Sequence, residues 1–189
     1  NAYRYIEFAA SNEFYLIARS AGLDYQRILN AMKHNYPRAR NIPRPGYAAG
    51  PCLVKDTMQL AAYARNQFGL GHAAMLINEG LVLHVIDDLQ RRFPLNTMSV
   101  GLLGMAFKAE SDDPRASLSY KFKNALAGLA RTVLTTDPLV TTDPSLLPLD
   151  EVIARSDLLI LCTPHACYKD ADLKGKPVVL FLWAHWCPD

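Results

Sequence analysis

Near residue 95 the hydrophobic pattern of the chain changes period, and no single layer of secondary structure satisfies both halves. Ahead of that point apolar residues recur at steps of three and four. Tyr3, Ile6, Ala10, Phe14, Ile17 and Ala21 form such a series, the spacing of a helix that buries one face. Beyond Leu95, short apolar runs alternate with helical stretches. Ser99 to Leu103, Thr132 to Thr136, Asp157 to Leu161 and Pro177 to Leu182 read as strands, and Ser117 to Gly128 and Leu149 to Arg155 as helices. Strands separated by helices pair in parallel through crossovers. The fold class predicted is α/β: an all-helical domain over residues 1–95, then a parallel-sheet domain over 96–189.

Within the first half, Gly22 is the natural stop of the opening helix. Asp24 is the expected N-cap of a short second helix, Tyr25 to Lys33. From Tyr36 to Pro51 the periodicity is lost in prolines, glycines and the arginines Arg38, Arg40 and Arg44, a composition that predicts an ordered loop. Two further helices are expected, Lys55 to Phe68 and a long one from Ala73 to Arg92. Leu76, Ile77, Gly80, Leu81, His84 and Asp87 run along the long helix as a stripe, and Pro94 ends it.

Composition narrows the function classes. Half of the 189 residues are hydrophobic, enough for a packed core, and a formal charge of +2 is too near balance for a nucleic-acid or anionic-membrane binder. No apolar run that approaches the roughly 18 residues of a membrane span is expected, and no charged-then-apolar leader is read at the start. A cytoplasmic location with no membrane partner is the expectation. The sequence starts without Met inside a helical pattern, as a portion of a longer chain would. Cys52, Cys162, Cys167 and Cys187 have no CxxC pairing, and the five histidines no ligand spacing, so no disulfide framework or metal site is suggested. Cys162 and Cys167, near the end of a strand, read as buried thiols.

The stretch with the most chemistry is Gly46-Tyr47-Ala48-Ala49-Gly50-Pro51-Cys52-Leu53-Val54-Lys55-Asp56. A loop of small residues delivers a cysteine to the start of a helix. There the unpaired N–H groups and the dipole favour the thiolate, with Lys55 adding positive potential. Asp56, one turn on, is placed to orient a water. The small residues allow a ligand to approach the backbone closely.

Three motifs in order resemble the nucleotide-sugar dehydrogenases of the UDP-glucose and GDP-mannose dehydrogenase group. These are Asn1-Ala2-Tyr3-Arg4 with Asn12-Glu13, the cysteine loop itself, and Gly101-Leu102-Leu103-Gly104-Met105-Ala106-Phe107-Lys108 with Asp112-Asp113 and Arg115-Ala116-Ser117. The resemblance implies a Rossmann-like, UDP-sugar-binding second domain and an NAD-dependent oxidation of a sugar primary alcohol to a carboxylate. In it, Cys52 matches the nucleophile that forms a thiohemiacetal and then a thioester. Asn1 matches the amide that stabilises the developing oxyanion, and Asp56 the carboxylate that assists the hydrolytic water. Phe107 and Lys108 match contacts to the uracil and to the nucleotide or sugar. Arg115 matches a cation at the NAD pyrophosphate, Arg38 a substrate contact from a neighbouring subunit, and Tyr47 and Gly50 the loop beside the substrate. The family also implies a homodimer through the long helix, residues 73–92.

Three departures qualify the match. Gly101-Leu-Leu-Gly104 is not the dinucleotide GxGxxG turn, and the lysine that precedes the Asn in relatives has no counterpart, so turnover by this chain alone is not expected. Ala48 and Ala49 stand where many relatives are richer in glycine. The ending, Val178 to Asp189 with its Trp186-Cys187-Pro188, follows a thioredoxin-like rather than a family pattern, but Cys187 lacks the second cysteine that dithiol chemistry needs. The alternative to an enzyme is a non-catalytic module for dimerisation and UDP-sugar binding.

Overall fold

The computed structural model describes residues 1–47 and 51–180. Gly50, and the Trp183–Cys187 ending, lie outside the described residues. The chain divides into two compact units, Asn1–Leu81 and Val82–Asp189. The dividing point falls inside the long helix rather than at residue 95, where the sequence pattern changes.

The first unit is helical. Helix α1, Ala2–Ser20, ends as Gly22 enters the left-handed region at φ +70° and Leu23 N–H closes on Ala18 C=O at 2.8 Å. Asp24 caps α2, Tyr25–Lys33, over the predicted span, its Oδ1 accepting from Gln26 N–H at 2.9 Å. Helix α3 is Pro51–Tyr63 and α4 is Gly69–Arg92, both starting before their expected first residues Lys55 and Ala73. Pro51 fits the first turn of α3 because its missing N–H would have no helical partner there. The same helix stops short of Phe68 because Arg65 and Asn66 take left-handed φ of 52° and 61°, and Asn66 N–H caps Ala61 C=O at 2.8 Å.

Burial on α1 corrects the expected seam. Tyr3, Phe14 and Ile17 are 74%, 49% and 59% exposed, while Tyr5, Ala9, Ser11, Asn12 and Ala18 face inward. Tyr5 and Ala9 pack with Ala74, and Leu53, Val54 and Met75 lie against them. The inner face was hidden from a hydrophobic reading because two of its buried residues are polar. Ser11 donates to Pro43 C=O at 2.6 Å, and Asn12 grips Gly46.

The α4 stripe splits likewise. Leu81, Ile86 and Leu89 are buried, whereas Leu76 and Leu83 are 68% and 66% exposed and His84 and Asp87 point to solvent. By length and composition α4 is also apolar enough to cross a membrane, with a mean hydropathy of 1.3 over an 18-residue window. This corrects the expectation that no apolar stretch is that long; Asn78 and Glu79 interrupt the apolar residues of the helix near its middle.

In the second unit four parallel strands form a sheet of order β2-β1-β3-β4: β1 Ser99–Leu103, β2 Thr132–Thr136, β3 Leu158–Leu161 and β4 Val178–Leu180. Helix α5, Leu118–Leu126, links β1 to β2, and α6, Leu149–Arg155, links β2 to β3. Asp157 precedes β3 instead of opening it; its carboxylate accepts from Ser99 N–H at 2.8 Å and pairs with Arg131. Ser117 is the N-cap of α5 and not its first residue. Strands β1 and β3 are buried along their whole length, as the centre of a sheet covered on both faces requires. Leu103, Val152, Ile153, Leu159 and Leu161 make up much of that core.

The chain leaves β1 toward β2 on one side and returns to β3 on the other. The carboxyl ends of β1 and β3 therefore flank the topological switch point, where open parallel sheets bind ligands. Gly104 follows β1 there at φ +91°. A Cβ on it would strike the main chain of Thr163, so only glycine lets the two connections meet.

Candidate functional site

Each unit carries one cluster. In the first, Cys52 is the second residue of α3 and exposed, and Asp56 is one helical turn further along the same face. Asn1 occupies the N-cap position of α1, but its side chain makes no capping bond. It donates instead to Asp56 Oδ2 at 2.5 Å, across 55 residues of sequence. Asp56 Oδ1 also meets Lys55 Nζ at 3.3 Å. The Asn1 amide first, and Lys55 after it, hold the Asp56 carboxyl below its ordinary range, so it is an anion at neutral pH. Three residues that the sequence assigned to one chemistry thus stand on two helix starts tied by a hydrogen bond.

Gly46, six residues before Cys52, is held by a buried carboxamide. Asn12, fully buried, accepts from Gly46 N–H and donates to both Gly46 C=O and Asn78 Oδ1, each at 2.8 Å. Asn78 Nδ2 in turn donates to Tyr5 C=O at 2.9 Å. Tyr47, next in the chain, is 8% exposed. Arg38 stands exposed on a 3-10 turn, Pro37–Ala39, and is not part of the Asn1–Asp56 pair.

In the second unit the β1–α5 connection carries Phe107 and Lys108, and Lys108 Nζ lies 5.4 Å from the centroid of the Phe107 ring. Arg115 sits further along, with its guanidinium closed on Asp113: Nη2 is 2.7 Å and Nε 3.1 Å from Oδ2. That hydrogen bond holds the Asp113 carboxyl down at about 2. Gly101 is packed against Ser156, Leu159 and Val152, so neither it nor Gly104 is open as a dinucleotide cradle.

Two residues at the switch point were missed. Asp137, just past β2, has a fully buried side chain whose Oδ2 accepts from Met105 and Ala106 N–H at 2.6 and 2.9 Å, while Oδ1 accepts from Leu139 and Val140, each at 2.9 Å. His165, just past β3, reaches the same Oδ2 at 3.2 Å. Burial alone would raise the Asp137 pKa, but the His165 and main-chain bonds prevail and hold it far below the usual carboxylate range. The signal available in the sequence was position: both residues follow a strand end. Of the two thiols expected to be buried, Cys162 is, and burial pushes its pKa up, but Cys167 is exposed because it lies on the 3-10 turn Ala166–Tyr168.

Comparison with known proteins follows the same two-unit division. The central-domain model of the UDP-glucose/GDP-mannose dehydrogenase family matches residues 1–80, and the family's UDP-binding-domain model matches residues 101–181. The chain belongs to the UDP-glucose/GDP-mannose dehydrogenase family. It is 30% identical over 181 residues to a UDP-N-acetyl-D-mannosamine dehydrogenase of Pyrococcus horikoshii, covering 91% of this chain and 42% of that one. It is 29% identical over 187 residues to the GDP-mannose 6-dehydrogenase of Pseudomonas aeruginosa, covering 85% of this chain and 42% of that one. A solved UDP-D-ManNAc dehydrogenase from Pyrococcus horikoshii superposes with a TM-score of 0.82 at 25% identity, over 96% of this chain and 46% of that structure. The chain thus spans less than half the length of these members of the dehydrogenase family. Their architecture, a helical region followed by a parallel sheet, is the one predicted for it.

Proposed function

We propose that the chain supplies the thiol nucleophile and the nucleotide end of the substrate site in an NAD-dependent nucleotide-sugar 6-dehydrogenase. The observation that carries this is the Asn1–Asp56 bond one helical turn from Cys52: an amide donor and a carboxylate anion are tied together across two helix starts, on the helix face that carries the cysteine. The Cys52 sulfur adds to the C6 aldehyde of the sugar. The aldehyde oxygen takes up the negative charge, and an amide N–H such as that of Asn1 stabilises it as the C–S bond forms. After oxidation to the thioester, Asp56, kept ionised, draws a proton from the water that attacks the acyl carbon; the C–S bond breaks and the thiolate returns. NAD supplies the hydride acceptor, and of the described residues Arg115 is the one proposed to face its pyrophosphate. Phe107 and Lys108 hold the nucleotide, a UDP in this reading, from the carboxyl end of β1.

The same reading assigns α4 to a homodimer interface in a cytoplasmic enzyme and not to a membrane. Leu76 and Leu83 are spaced by seven, the repeat of a helix that packs on its own copy. The test of the chemistry is protection of Cys52 from iodoacetamide. The UDP-sugar 6-aldehyde slows alkylation sharply while the parent alcohol does not, and equal alkylation rates with both would reject the assignment.

A further inference from the structure

The turn that presents Phe107 and Lys108 is fastened at both ends, and its second fastening is a histidine with no part in the chemistry above. At the near end Met105 and Ala106 N–H donate to Asp137, and Ala106 C=O accepts from Thr163 Oγ1 at 2.8 Å and Ser117 Oγ at 3.2 Å. At the far end Glu110 N–H donates to His165 Nδ1 at 3.2 Å, and Glu110 Oε1 accepts from Ala166 N–H at 2.7 Å. A main-chain N–H only donates, so Nδ1 carries no proton. The proton of a neutral ring then sits on Nε2, facing Asp137 Oδ2 at 3.2 Å. The ring is 2% exposed and stacks edge-on to Tyr168, leaving it little freedom to turn. Glu110 itself sits at φ +54°, a left-handed conformation that a non-glycine residue holds only where its surroundings fix it.

We propose that His165, as the neutral Nε2–H tautomer, is the positioning residue that locks the Phe107–Glu110 turn to the β3 side of the switch point and so sets its grip on the nucleotide diphosphate. Asp137 fixes the tautomer by accepting from Nε2, and Nδ1 is left free to hold Glu110. The proposal rests on the assignment of Phe107 and Lys108 to the nucleotide, and its test separates the two.

Two substitutions divide the ring's bonds between them. Asn at 165 places an amide oxygen near the Nδ1 position and keeps an acceptor for Glu110. Gln at 165 places an amide N–H near the Nε2 position and keeps the donor to Asp137. In the full chain, hydrogen exchange at the Glu110 amide stays protected in the wild type and in His165→Asn, and rises about tenfold or more in His165→Gln, the loss of one hydrogen bond. UDP affinity follows the same order, falling about tenfold in His165→Gln and little in His165→Asn. A purely structural role for His165 as partner to the buried Asp137 charge predicts the reverse order and would overturn the proposal. So would equal exchange in all three proteins, or a two-bond nitrogen–proton spectrum showing the His165 proton on Nδ1. If wild-type chain takes up no UDP, the nucleotide assignment fails, and the exchange order still decides whether His165 fastens the turn.

Discussion

Removing the Asn12 side chain tests how Gly46 is held. Asn12→Ala leaves three groups without their partner: Gly46 N–H, Gly46 C=O and Asn78 Oδ1. At the lower end of the cost of an unpaired buried polar group, about 1 kcal/mol each, the loss of stability is about 3 kcal/mol. Asn78→Ala removes fewer bonds, and once Asn78 is truncated the Asn12 change no longer strands Asn78 Oδ1. The double variant is therefore less damaged than the sum of the singles by about 1 kcal/mol. The assay is urea unfolding followed by far-ultraviolet circular dichroism, which reports the helical first unit. Asn12→Asp separates bonding from volume, because it keeps the shape but turns the donor into an oxygen facing two acceptors. It is predicted to be at least as destabilising as Asn12→Ala. Additivity of the singles within about 0.3 kcal/mol, or a neutral Asn12→Asp, would refute the claim that interlocked carboxamides hold Gly46.

Three further outcomes are expected. Asn1→Ala raises the Asp56 pKa toward the ordinary carboxylate value in a carbon-detected titration and slows nucleophilic addition to the aldehyde, the step in which its amide N–H is proposed to act; an unmoved Asp56 midpoint would sever the link between the two helix starts. Asp137, whose pKa is depressed in the folded state, contributes stability that is fully present above the unfolded carboxylate value of about 3.9 and is lost as pH falls below it. Urea midpoints of the second unit should therefore decline steadily below about pH 4, with a flatter decline from a lower starting point in Asp137→Asn. Leu83→Arg, placing a charge in the proposed self-association face, gives a monomer by sedimentation with the fold retained, whereas an unchanged dimer would move that interface elsewhere.

The sheet was legible because its strands are short runs of apolar and β-branched residues set off by helices, and β1 and β2 fall on their predicted residues. Helix boundaries were legible where a side chain makes the cap, as Asp24 does, and less so where a proline start or a left-handed asparagine decides, as at Pro51 and Asn66. The inward face of α1 was not legible, because Asn12 and Ser11 are buried for their hydrogen bonds, and apolar periodicity instead picked out the exposed row Tyr3, Phe14 and Ile17. Of the proposed site residues, Cys52, Asp56, Phe107 and Lys108 were singled out by motif. The Asn1–Asp56 bond and the Asp137–His165 pair join segments far apart in sequence, which only the fold brings together.

The central claim is that the second unit binds a nucleotide sugar at the carboxyl ends of β1 and β3. Calorimetric titration of the chain with UDP-N-acetylmannosamine, UDP-glucose and GDP-mannose tests it directly. The account predicts saturable heat with a UDP-sugar that is lost on replacing Lys108 with Ala. Heat that is absent with all three, or unchanged by Lys108→Ala, would contradict it.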